Sequence, residues 1–486
     1  MLRSIKLSVI ALFLGAVSVF GFAPFTHWWL PLFTLAGLFE LWRRAPGRSV
    51  MLGWWFGLGF FSTGVSWIYT SLHTYGEMPA SLATLAVLLF AAFLALFPAA
   101  AGYVYKRSPS MAIWSVPAAW MLAEWVRGWI FTGFPWLAVG YSQVPASPLA
   151  AYAPIVGVFG ISLLLAWTAA ALVWRSRYSW LIVALWGGGW MMHDVRWTQP
   201  VNARFSVSLI QGNISQSIKW QPEQAWTTLR DYRDLVARSQ SRLIVLPETA
   251  MPLFYDDLPE GYLDDIASHA RANGGDVLFG VPERLANGNY YNSVMNVGEA
   301  AMQVYRKSHL VPFGEYIPLK SVFGLITEVL HIPLSDFSRG ALRQTPFHVA
   351  GQQVATNVCY EDVFGEEIIR ALPQATILVN VTNDAWFGDS IAPWQHLQIS
   401  QMRALESGRQ MLRATNTGMT AIIDVDGVVL QQLPLFTRAT LTAQAQGYQG
   451  LTPFARWGNY PALLLAGVML LIALYSQIRL HRARSR

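Results

Sequence analysis

The chain has 486 residues, 53% of them hydrophobic and 13% charged, about half the roughly one-quarter charged share of soluble globular domains. The net charge of +6 comes from basic residues at the ends of apolar runs, not from one amphipathic face, which sets nucleic acid aside as a partner and points to lipid. Cys359 is the only cysteine, so an intrachain disulfide and a cysteine-based metal site are both excluded.

The charge deficit is uneven. Residues 1–200 contain only Glu40, Glu77, Glu124 and Asp194 as acids, whereas residues 201–450 have the texture of a soluble domain. Apolar runs suited to crossing a bilayer, which takes about 17 to 25 residues, lie near 5–22, 28–42, 51–70, 80–104, 110–126, 151–174, 178–192 and 458–478. Arg3 and Lys6, then Arg43, Arg44 and Arg48, then Lys106 and Arg107, then Arg175 and Arg177 mark every second boundary. The intervening boundaries hold only Arg127 and Arg196. Positive charge near span ends favours the cytoplasmic side, so the marked boundaries are expected inside and the stretch after the seventh span outside. Arg479, Arg482, Arg484 and Arg486 close the pattern after the last span. The expected organisation is a transmembrane domain of about seven helices over 1–200, an outer domain over 201–454, and a C-terminal span with a basic tail over 455–486. A cleaved signal peptide over residues 1–22 is the weaker reading, because Pro24 would follow the cut and further spans come at once. No repeat of 20 to 50 residues and no low-complexity segment stands out.

From Phe205 the chain reads as short strands: Phe205–Ile210, Leu243–Leu246, Val277–Val281, Asn292–Val297, Met302–Tyr305, Val354–Val358, Ile377–Val381 and Ala421–Leu430. Several are continuous apolar runs, as in strands covered on both faces. Helical patterns fall at Pro222–Ser239, Leu258–Ala272 and Gln395–Arg413, and Asp426-Gly427 reads as a hairpin turn. An α/β sandwich follows.

Three polar residues stand at or just past strand ends, where α/β folds present reactive side chains. Cys359 ends Val354–Val358; alone, it would be an inert small core residue. Glu248 follows Leu243–Pro247; partly desolvated at a strand rim it suits a general base for a thiol proton, the plain alternative being a helix cap. Lys307 follows Met302–Tyr305, where an ammonium favours a thiolate and stabilises an oxyanion, the alternative being a solvated strand-end lysine. The signal is the set. His309, His331, His348 and His396 lack metal-ligand spacing and read as hydrogen-bonded or surface residues. Asp424 and Asp426 lack a calcium-loop pattern, so no metal is implied.

The ordered set of Glu248 in LPET, Lys307 in YRKSHLVPFGEY and Cys359 in NVCYED resembles the nitrilase superfamily and, within it, the apolipoprotein N-acyltransferase family. GNISQSIKW (212–220), HLVPFGEYIP (309–318), NDAWFGDSIAPWQH (383–396), RALESGR (403–409), RATNTG (413–418) and GLTPFARWG (450–458) carry the resemblance through most of the outer domain. It implies a nitrilase-like αββα sandwich joined to a polytopic α-helical membrane domain in a bacterial inner membrane, the sandwich facing the periplasm. It further implies an enzyme without a cofactor. A thiolate takes an acyl chain from a membrane phospholipid and passes it to the α-amino group of the diacylglyceryl-cysteine that begins an apolipoprotein. Glu248 would be the base, Lys307 the oxyanion stabiliser and Cys359 the nucleophile, with Trp220, Glu315, Tyr360 and Glu361 near the site. Thr249 and Asp362 are expected to tolerate substitution. The competing readings are a membrane-tethered amidase that gives the acyl group to water, and a non-enzymatic transporter or receptor. The second lacks the several intramembrane charges that mark a transport pathway. Ile317–Phe337, with Val322, Phe323, Leu325, Ile326, Val329 and Leu330 on one face, is expected to be an interfacial arm in preference to a core helix.

Overall fold

The computed structural model describes residues 2–175, 179–317 and 336–484. The expected arm at Ile317–Phe337 therefore lies almost wholly outside the described residues. Two compact units divide the chain: 1–69, 79–196 and 456–486 form the first, 70–78 and 197–455 the second.

The first unit is helical. Its longer helices are Leu2–Ser18, Leu30–Arg44, Ser49–Gly64, Ala80–Leu94, Leu96–Arg107, Ala112–Arg127, Ala153–Val173, Trp180–Met192 and Tyr460–Arg484. Among the described residues, three stretches are long and apolar enough to cross a membrane: Ala80–Arg107, Pro148–Val173 and Tyr460–Arg479. The run expected to cross at 80–104 is two helices parted at Ala95, and the run at 51–70 leaves its helix at Gly64. Between Arg127 and Ala153 the chain is irregular yet largely buried, which in apolar surroundings requires partners for its backbone. Arg127 Nη1 donates to the carbonyls of Phe134 (2.5 Å) and Trp136 (2.6 Å). Glu124 accepts from the backbone N–H of Val139 (3.0 Å) and from Trp120 Nε1 (2.9 Å). Both charged side chains thus bind this unit's own backbone.

The second unit contains two six-stranded sheets. With β1 at Gln199–Gln211, β2 at Leu243–Val245, β3 at Asp276–Arg284, β4 at Tyr290–Gly298, β5 at Val304–Arg306 and β12 at Ala439–Gln449, the first runs β12-β1-β2-β3-β4-β5. With β6 at Phe347–Val349, β7 at Gln352–Val358, β8 at Ile377–Thr382, β9 at Met411–Thr415, β10 at Ala421–Ile423 and β11 at Val429–Gln432, the second runs β11-β10-β9-β8-β7-β6. The centres are parallel, β1-β2-β3 and β7-β8-β9, and the edges antiparallel. Strand alternation explains the unbroken apolar runs. Leu243, Val245, Ile377 and Val379 face the core between the sheets, while Ile244 and Leu378 face helices outside. Helices Pro222–Ala237 and Tyr262–Ala272 cover the first sheet, and Ala392–Ser407 covers the second. This is the αββα sandwich.

One helix expectation is corrected. The apolar spacing across Gln395–Arg413 merged a helix with a strand: the helix stops at Ser407, and Met411–Thr415 is β9. Gly408, at φ 63°, takes the left-handed position that ends the helix, and Leu412 belongs to the inter-sheet core. β6, β9 and β12 have no counterpart among the expected strands. Asp426-Gly427 does turn a hairpin between β10 and β11, with Gly427 N–H donating to Asp424 O at 2.9 Å. The segment Thr70–Met78 also belongs to this unit. Ser71 Oγ donates to Trp386 O at 2.8 Å, and the Tyr75 ring meets Trp386 edge-on.

Candidate active site

Glu248, Lys307 and Cys359 follow β2, β5 and β7, so two come from one sheet and one from the other. Behind Glu248, the turn at Pro247–Thr249 lies against β3. A Cβ on Gly280 would meet Thr249 N at 2.4 Å and Pro247 O at 2.6 Å, so only glycine permits that approach. Glu248 is 7% exposed. Its carboxylate accepts from Asn292 Nδ2 (2.8 Å) and from the N–H of Asn383 (2.9 Å), and Lys307 Nζ stands 3.6 Å away. Lys307 is 1% exposed and 2.9 Å from the Glu315 carboxylate. Burial works against its charge, but Glu315 and Glu248 outweigh burial and raise its pKa above the ordinary lysine range. Asn292 Nδ2 also donates to Glu315 (3.0 Å), tying the two carboxylates together.

Cys359 opens a 3-10 turn, Cys359–Val363, with φ at 54°, a left-handed conformation that non-glycine residues seldom adopt. Glu361 holds that elbow. Its carboxylate accepts from Val358 N–H (2.7 Å), from Ser308 N–H (2.6 Å) and hydroxyl (2.9 Å), from His309 N–H (3.0 Å) and from Tyr305 OH (2.9 Å). The strand end that carries Lys307 is thereby stapled to the strand end that carries Cys359. Burial pushes the Glu361 carboxyl up, against Lys307 and those backbone donors. Tyr360 is buried, its ring edge-on to Phe364. Trp220 is half-buried at the end of helix Gln216–Lys219.

Burial and the Glu248 charge push the Cys359 thiol well above the ordinary thiol range, and the Lys307 ammonium pulls it down, in the direction expected of it, without cancelling them. The arrangement sets a thiol beside a carboxylate able to take its proton and an ammonium able to receive an oxyanion. Among the described residues no group of three His, Cys, Asp or Glu side chains is placed to hold a metal ion.

Residues 14–171 match the model of the apolipoprotein N-acyltransferase N-terminal domain, and residues 206–452 match that of the carbon-nitrogen hydrolases. The chain is 55% identical to an apolipoprotein N-acyltransferase of Nitrosomonas europaea, over 95% of this chain and 96% of that one. It is 47% identical to one of Chromobacterium violaceum, over 97% of this chain and 94% of the other. The chain belongs to the apolipoprotein N-acyltransferase family. A solved carbon-nitrogen hydrolase from Helicobacter pylori aligns at 17% identity with a TM-score of 0.39, covering 50% of this chain and 89% of that chain. As a member of the family this chain is an acyltransferase, and its apolar helices make it a membrane protein.

Behind the elbow, this N-acyltransferase family member carries a buried ionic lattice. His396 Nε2 lies 2.9 Å from Asp362 Oδ1 and 3.3 Å from the Cys359 carbonyl, while its Nδ1 lies 2.9 Å from Asp384 Oδ1. Arg413 reaches Asp362 (3.2 Å), Asp384 (3.0 Å) and Asn380 Oδ1 (2.8 Å). Asn380 Nδ2 donates to the Cys359 carbonyl at 3.2 Å. Burial and Arg413 push the imidazole down, but Asp362 and Asp384 outweigh them and hold it at about 9. Against burial, His396 and Arg413 hold Asp384 at about 2.

Two expectations of tolerance give way here. Asp362 is fully buried with three partners, because the elbow turns it inward under Cys359. Thr249 is buried at φ 46°, its hydroxyl accepting from Lys219. Sequence reasoning also passed over Lys219, Asn292, Asn383, Asp384 and Arg413, while His396, read as a hydrogen-bonded or surface residue, is the former. Most of these lie inside the stretches that carry the family resemblance, but an asparagine or a charge there reads as an ordinary loop residue until the loops converge.

Proposed function

We propose that this enzyme moves an acyl chain from a membrane phospholipid through a Cys359 thioester to the α-amino group of an apolipoprotein's N-terminal diacylglyceryl-cysteine. What carries the reading is the meeting of Glu248, Lys307 and the elbow cysteine in one cluster. Glu248 takes the thiol proton, and the thiolate attacks the phospholipid ester carbonyl. The oxyanion forms beside the Lys307 ammonium, where a fixed positive charge stabilises it. The carbon–oxygen ester bond breaks, and the departing lysophospholipid alkoxide takes the proton back from Glu248. In the second half, the acceptor amine attacks the thioester and gives its proton to Glu248. The carbon–sulfur bond then breaks, and the leaving thiolate recovers that proton as the thiol. Splitting one ester-to-amide exchange in this way lets one site serve two bulky lipids in turn, and ping-pong kinetics follow. Glu315 holds Lys307, while Glu361 and Tyr360 set the elbow. No metal or cofactor enters the scheme.

The alternation of basic span boundaries supports an inner-membrane protein with both termini in the cytoplasm and residues 205–451 in the periplasm. A reporter active only in the periplasm, fused after Gln240, is expected to be active, and silent when fused after Arg486. The reverse pattern rejects the orientation. The chemistry is tested by the intact mass of the purified enzyme after incubation with phospholipid, which should rise by one acyl chain at Cys359. Adding a diacylglyceryl lipopeptide with a free amine should clear that mass and acylate the amine. Release of free fatty acid instead would make the protein a hydrolase.

A further inference from the structure

A second buried lysine adjoins Glu248, and the reaction above leaves it unused. Lys219 is 2% exposed. Its Nζ donates to Thr249 Oγ1 at 2.5 Å and to the Glu248 carbonyl at 3.2 Å, with the Trp220 ring 5.8 Å away. The turn it grips is strained, since Thr249 is a β-branched residue in the left-handed region. A desolvated ammonium and a strained backbone are both costly, and here they meet at one pair of hydrogen bonds.

The charges explain what that pairing accomplishes. Lys219 and Lys307 both interact electrostatically with Glu248 and Cys359, while Glu315 pairs with Lys307 and Asp384 raises the thiol further. When Glu248 takes the thiol proton, the negative charge moves from the carboxylate to the sulfur and stays within reach of both ammoniums. Without Lys219, Lys307, already paired with Glu315, is left to stabilise the thiolate against burial and Asp384.

We infer that Lys219 is a positioning residue for thioester formation, holding the Glu248–Thr249 turn so that the carboxylate faces the thiol and supplying the second positive charge that balances the thiolate. This rests on the thioester reading above. It is supported by the lysine's protonation: burial lowers its pKa to about 8, with Glu248 and Cys359 opposing the fall, so the charge is lost as pH rises through that value.

The test follows acyl-enzyme formation on full-length protein in detergent with phospholipid, by intact mass, from about pH 6.5 to about pH 9. The wild-type rate should fall as pH passes about 8. Lys219→Met should be slower by at least ~10²-fold, as for a disabled base, and should lose that alkaline fall. Lys219→Arg, which stays charged, should recover to within roughly tenfold of wild type and hold its rate at higher pH. A folded Lys219→Met variant with the wild-type rate and pH profile overturns the inference. So does a Lys219→Arg variant as slow as Lys219→Met. Folding is checked by thermal melting and by reaction of Cys359 with a small thiol reagent. Should Lys219→Met not fold, the wild-type profile decides, and a rate unchanged through about pH 8 overturns the inference. A wild-type enzyme that never gains the acyl mass rejects the thioester reading itself, whatever Lys219 does.

Discussion

Cys359 stands between two sets of charged side chains that are built differently. On one side, Lys307 is 2.9 Å from Glu315 but 3.6 Å from Glu248, and both carboxylates act electrostatically on the lysine that also acts on the thiol. On the opposite side, His396 and Arg413 each join both Asp362 and Asp384. The first set, as proposed above, is the reacting side. The second, through His396 and Asn380, fixes the Cys359 backbone carbonyl in a left-handed turn. Reactivity and rigidity are thus separated across one residue, and the two sides should respond differently to mutation.

The largest effect belongs to Cys359, the proposed nucleophile. Cys359→Ala should abolish both acyl-enzyme formation and amine acylation while leaving the thermal melt near wild type, since only a half-buried sulfur is removed. Retained transfer would end the covalent mechanism. Next comes the opposite side: Asp362→Ala leaves His396 and Arg413 as buried cations short of an anion and should cost about 3–5 kcal/mol of stability, read from chemical or thermal unfolding. An unchanged melt would break the comparison, because the lattice would then not be scaffold. Glu248→Gln sharpens it from the reacting side. The amide is close in shape, so the melt should hold while thioester formation slows by at least ~10²-fold.

The sequence made the reacting side legible and the rigid side obscure. Glu248 and Cys359 each follow an apolar run directly, and Lys307 comes just past the short strand ending at Arg306, so strand ends and the proposed chemistry coincide within a few residues. Asp362 lies three residues past Cys359, but its burial depends on Arg413 from β9 and His396 from the covering helix, and β9 itself was hidden inside an apparent helical repeat. Lys219 was obscured for a related reason: between Ile218 and Trp220 it reads as a surface residue, and only its approach to the Glu248 turn shows otherwise. The two-sheet sandwich was readable from its continuous apolar strands. Its short edge strand β6 and the long β12 were not, the latter because its outward residues are polar and break the apolar signal.

The smallest expected effect is also the most specific to the rigid side. His396 is held at about 9, above its ordinary 6.5. A group raised in this way contributes stability that is fully present below its unfolded value and is lost as pH rises through the folded one. The lattice should therefore contribute fully below about pH 6.5, with that contribution falling as pH rises and lost once it passes about 9. Lys219 acts in the opposite sense. Lowered by burial from 10.5 to about 8, it sheds its proton in the folded chain while the unfolded chain keeps it, so its contribution makes the fold more stable over that window. A wild-type melt against pH mixes the two, and a flat curve would decide nothing. Comparison of wild type with His396→Gln isolates the lattice, because Lys219 is common to both proteins. The stability difference between them should be largest below about pH 6.5 and shrink as pH rises from there through about 9. A difference that is constant across that range would mean His396 is neutral in the folded enzyme and joins Asp362 and Asp384 by ordinary hydrogen bonds, without the charge assigned to it here.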